Sequence, residues 1–112
     1  MKQCRLYKAP EETLALPMDE AFTLLKERDG SHEWGYILAC RDCGQHFVFD
    51  AVEIVDFVGG DDALYISYIP AADLAEAERI FELSPWELLK IRPALRKDFP
   101  TGASKPTITW VF

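Results

Sequence analysis

The sequence predicts an α+β fold, a single domain over residues 1–112 with an antiparallel sheet of about four strands and helices packed on one face. Three observations predict it. Segments dense in Val, Ile, Phe and Tyr recur at 34–40, 46–58, 63–69 and 107–112 and read as strands. Apolar stripes spaced by three and four residues lie between them and read as helices. With 112 residues and 49% hydrophobic content, the chain can bury one core and is too short for two.

The first helix is expected over residues 17–30. Pro17 suits a first helical position, and Gly30 can close the helix in a left-handed cap. Met18, Ala21, Phe22 and Leu25 fall at i, i+3, i+4 and i+7, with Asp19 and Glu20 in the first turn and Lys26 and Arg28 in the last, as the helix dipole favours. Trp34, Tyr36, Leu38 and Cys40 then alternate with Gly35, Ile37 and Ala39 as a strand. Residues 46–58 read as one long strand or as two short ones broken near Asp50 and Ala51. Gly59, Gly60, Asp61 and Asp62 supply a hairpin turn into 63–69, which Pro70 closes. A helix over 71–82 turns Leu74, Ala77, Ile80 and Phe81 inward. Ser84-Pro85-Trp86-Glu87 is a capping box that opens another helix, with Leu88, Ile91 and Leu95 on one side and Pro93 bending or interrupting it. Residues 99–102 are loop-like, and 107–112 alternate as a final strand that must pair.

The net charge of −7 is unevenly spread: eleven acidic residues face one base, Arg79, between positions 42 and 87. Lys90, Arg92, Arg96, Lys97 and Lys105 then outnumber Asp98. A field of the acidic sign repels phosphates and draws in a basic protein surface; the same charges also serve plain solubility. The residues expected to meet a partner are Asp50, Glu53, Asp56, Asp61, Asp62, Asp73 and Glu76, together with Trp86, which follows Pro85 in the first turn of its helix. Trp34 and Trp110, on alternating strands, read as core. No apolar run approaches the roughly 20 residues that cross a bilayer, and the opening residues lack the apolar stretch of a secretory signal. Three cysteines cannot build a disulfide framework, so a cytoplasmic protein with free thiols is expected, with neither nucleic acid nor membrane as partner.

Cys40-Arg41-Asp42-Cys43-Gly44 is half of a zinc-binding device. A tight turn lets two thiols face one tetrahedral metal, and Gly44 can take the positive φ such a turn needs. Cys40 and Cys43 are the metal-ligating candidates, and His46, His32 and Cys4 are the residues available to complete a set of four. Three readings stay open: a bound zinc, a metal-free knuckle that caps a hairpin, and a redox pair. The β-rich flanks argue against the last, because redox pairs of this spacing open a helix. No Walker loop, dinucleotide fingerprint or metalloprotease motif is present, and on a strand Cys43 and His46 would point to opposite faces, so no enzyme activity is expected.

The segment Cys40-Arg41-Asp42-Cys43-Gly44-Gln45-His46-Phe47-Val48-Phe49-Asp50 resembles a stretch found in small bacterial immunity proteins, where a Cys-x-x-Cys-Gly-Gln knuckle precedes an aromatic and an acidic residue in a strand. Phe47 stands where tryptophan is the expected aromatic. The resemblance implies a cytoplasmic protein that binds and neutralises a cognate toxin, with a basic toxin domain as the partner and the acidic middle segment as the contact surface. The alternative is a zinc-knuckle regulatory or nucleic-acid-binding module with a basic face near Lys90, Arg92, Arg96 and Lys97, against which the acidic total counts.

Overall fold

Among the described residues, six strands pair in chain order as one antiparallel meander, so every ladder joins a strand to the one just before it. The computed structural model describes residues 4–54, 59–60, 62–102 and 104–112. Three short helices come first: α1 (Arg5–Lys8), α2 (Pro10–Ala15) and α3 (Met18–Ala21). Strands β1 (Phe22–Arg28), β2 (Glu33–Cys40), β3 (His46–Ile54) and β4 (Ala63–Ala71) follow. Helices α4 (Leu74–Phe81) and α5 (Pro85–Leu88) lead to β5 (Ala94–Phe99) and β6 (Thr107–Val111).

The sheet therefore has six strands, not about four, and the two extra ones lie inside segments with helical spacing. The helix expected over 17–30 stops after one turn, because Phe22 is already extended at φ −134° and ψ 154°. From there β1 pairs with β2, Phe22 opposite Cys40, with a bulge between Leu24 and Lys26. Ile37 and Leu38 of β2 are fully buried on opposite faces, so an unpaired outer edge would leave its backbone polar groups without partners; β1 supplies them. Tertiary pairing thus overrides local helical spacing. The second extra strand is β5. The helix opened by the Ser84 capping box ends at Leu88, and the chain after Pro93 pairs along β4 instead of continuing as helix.

Helices cover both faces, which corrects the expectation of one. Leu38, Phe47, Phe49, Ile66, Tyr68 and Leu95 point to one face, where Leu6, Ala21 and the partly buried Leu14, Leu16 and Met18 pack on them. Ile37, Val48, Ile69 and Ala94 point to the other, beneath Ala77 and Phe81 of α4 and Leu88 of α5. Strands apolar on both sides need two covers. Trp34 and Trp110 are partly buried against the first core, and Trp110 Nε1 donates to Leu6 O at 3.0 Å while its ring stacks on Tyr7. Two smaller expectations also change. Pro70 does not close β4 but sits opposite Phe47 within it, and Leu74 of α4 is 43% exposed. No helix among the described residues is long and apolar enough to cross a membrane.

Candidate functional site

Residues 28, 35 and 50 stand in one row across β1, β2 and β3: Arg28 opposite Gly35, and Gly35 opposite Asp50. The absence of a side chain at Gly35 lets the Arg28 guanidinium lie across the sheet to its buried neighbour; a Cβ there would meet Arg28 Nη2 at 3.0 Å, Phe49 O at 3.0 Å and Phe81 Cε1 at 3.2 Å. Arg28 donates from Nη2 to Asp50 Oδ1 at 3.1 Å and to Glu33 Oε2 at 2.8 Å, and from Nε to Glu33 Oε1 at 3.1 Å. Its Nη1 donates to the carbonyl of Phe81, whose ring lies 4.3 Å below the guanidinium carbon. One cation thus ties two carboxyl groups and α4 together.

Asp50 is only 1% exposed, so it forms no part of a contact surface. Burial pushes its pKa up to about 8, the neighbouring Glu33 carboxylate pushes the same way, and Arg28 only partly opposes them. Asp50 Oδ2 is sealed from solvent with no hydrogen-bond partner. For Glu33, burial acts upward, but contact with Asp50 and the Arg28 guanidinium outweighs it and holds the group below its ordinary range. The two carboxyl groups are therefore coupled, with Asp50 pushed up and Glu33 held down.

Glu33 also faces outward, into a groove of about 380 Å³ whose walls are the 30–33 loop, Val52 and Glu53 of β3, and Pro85 and Trp86 of α5. His32 Nδ1 lies 3.0 Å from Glu53 Oε1, and the Glu53 N–H donates to His32 O at 2.8 Å. Trp86 is 59% exposed at the rim, in the outward position its place after Pro85 predicts. An exposed indole over carboxylates is suited to a cationic side chain.

The remaining acidic candidates do not gather with these. Asp73 caps α4 by accepting from Glu76 N at 2.8 Å, while Glu76 Oε1 accepts from Ala72 N at 3.0 Å. Both follow Ala71, which lies opposite His46, whereas Asp62 precedes Ala63 at the Ile54 end of the same ladder. The two ends stand roughly 27 Å apart at the usual strand rise. Asp56 and Asp61 lie outside the described residues. Arg28, Glu33 and Gly35 were not singled out from the sequence; the glycine inside an otherwise apolar strand was the available signal.

The knuckle is the second notable feature. Cys40 closes β2, Gly44 turns the chain with φ +80°, and Cys4, the residue before α1, completes a trio whose sulfurs all lie within 4.8 Å of one another. Cys4 and Cys40 are buried and Cys43 is exposed. His46 and His32 are not in the trio. Burial pushes the Cys4 thiol up to about 12, with the other two thiols adding to the rise. Burial also acts upward on Cys43, but hydrogen bonds from the Gln45 N–H and from the Cys4 and Cys40 thiols outweigh it and leave that group below its ordinary value. Three thiols in this arrangement can bind a soft or borderline cation.

Comparison with known proteins returned no match: no family model fits this chain, and no curated protein or solved structure is detectably similar to it.

Proposed function

We propose that this chain is an immunity-type binding protein, not an enzyme, which neutralises a cognate bacterial toxin in the cytoplasm by seating a basic side chain of it in the groove beneath Trp86. The observation that carries this reading is the 59% exposure of Trp86 at the rim of a groove that also holds Glu33 and Glu53. Large aromatics are enriched at binding hot spots, and carboxylates beneath one favour a lysine or arginine. The net charge of −7 supports the choice of a basic partner by speeding encounter. The contact surface in this reading is narrower than a continuous acidic plaque: Glu53 belongs to it, Asp50 stands behind it, and Asp73 and Glu76 serve α4.

Co-purification from the native host, with mass spectrometry of the captured protein, tests the proposal when repeated with variants. One basic protein in stoichiometric amount, lost on Trp86→Ala and on Glu53→Lys, is the expected result. Full retention by both variants would place the contact elsewhere.

A further inference from the structure

We infer that Cys4, Cys40 and Cys43 form a zinc site of three thiolates, with a fourth coordination position on the solvent side held by water. The inference goes beyond the toxin-binding reading and does not depend on it.

The sulfurs are already placed for the metal. Three thiolates around one tetrahedral zinc stand about 3.8 Å apart, given Zn–S bonds near 2.3 Å, so sulfurs within 4.8 Å of one another need to shift by at most about 1 Å. The turn that carries two of them is braced on every side. Gly44 N–H donates to Cys40 O and Cys40 N–H to Gln45 O, both at 2.8 Å. The Arg41 side chain reaches Asp19 O at 2.7 Å, and Gln45 Nε2 donates to Ala71 O at 2.6 Å. Cys4 closes on this turn from thirty-six residues before Cys40 in sequence, held there by the same apolar core that buries Cys40. Zn²⁺ binds as the three thiols release three protons, leaving a centre of charge −1. Cys43 is the exposed member, so the open position faces water. Among the described residues no other group of three such ligands occurs.

The test uses the full chain, reduced and stripped with a chelator, and titrated with Co²⁺ as a coloured stand-in before Zn²⁺ is added. One cobalt per chain is expected, with visible bands of tetrahedral geometry, charge-transfer intensity for three thiolates, and full bleaching by one equivalent of zinc. Cys43→Ser, at an exposed position that leaves the core intact, removes a ligand and should weaken cobalt binding by more than the roughly 10–100-fold that loss of an outer partner costs. Cys4→Ser, monitored by circular dichroism for folding, should lower the charge-transfer intensity by one thiolate. Absence of stoichiometric uptake, a two-thiolate intensity in the parent chain, indifference to Cys43→Ser, or a disulfide that persists under reduction would each overturn the site.

Discussion

Asp50 is the residue on which the stability of this protein turns with pH. Its carboxyl binds a proton more tightly folded than unfolded, so between its ordinary value of 3.8 and about 8 the folded chain holds the extra proton and stability declines as pH rises. Glu33 acts in the opposite sense: the stability it contributes is present above its ordinary 4.5 and is lost as pH falls through its lower folded value. Denaturant unfolding should therefore show a falling midpoint from about pH 5 to about pH 9. Asp50→Asn, which mimics the protonated acid, should flatten that slope and raise stability at the alkaline end by about 1–3 kcal/mol; an unchanged slope would put the proton elsewhere. Gly35→Ala should cost about 1–3 kcal/mol in the same measurement, because a Cβ would crowd the Phe49 carbonyl, which cannot swing aside. A neutral outcome would mean that Arg28 and Phe81 can slide away without loss.

At the scale of elements, the Ser84 cap was the most legible feature: Ser84 accepts from Glu87 N at 3.3 Å ahead of Pro85 at the start of α5, an arrangement of a few consecutive residues that a sequence displays directly. The cap of α4 was not read: Asp73, which accepts from Glu76 N, and Glu76, which accepts from Ala72 N, were expected on the contact surface. Asp73→Ala should lower thermal stability by about 1 kcal/mol, and hydrogen exchange should quicken first in α4, the helix that carries Phe81 over Arg28. Strands β2, β3, β4 and β6 were readable from their composition, and the Gly44 turn from its glycine. β1 and β5 were not: Met18, Ala21, Phe22 and Leu25 satisfy a helical stripe, and what makes 22–28 a strand is the open edge of β2, a fact of tertiary pairing.

The candidate site was half legible on the same grounds. Trp86, Cys40 and Cys43 carry local signals, whereas the approach of Cys4 to the knuckle and of Arg28 to Asp50 exists only once the sheet is assembled. Asp50 was assigned to a surface because sequence clustering of charge carries no information about which face of a strand each side chain takes.

For the molecule as a whole, charge and groove make one joint prediction. Affinity for the basic partner should fall as salt rises, since the acidic field is screened beyond a Debye length of about 8 Å at physiological ionic strength. Trp86→Ala should remove about 2 kcal/mol or more of binding free energy at any salt, as titration calorimetry with the captured partner would measure. Loss of the salt dependence in the Trp86 variant alone would mean that the indole acts only by organising charge. The contact between Leu6 and Trp110, 104 positions apart, bears on biogenesis. Because each strand pairs with its predecessor, the meander can grow from the ribosome as it is made, yet the hydrogen bond that ties α1 to β6 can close only when Trp110 has emerged. A nascent chain stalled short of that tryptophan lacks this tie between its two ends and holds its amino-terminal helices to the sheet by apolar packing alone.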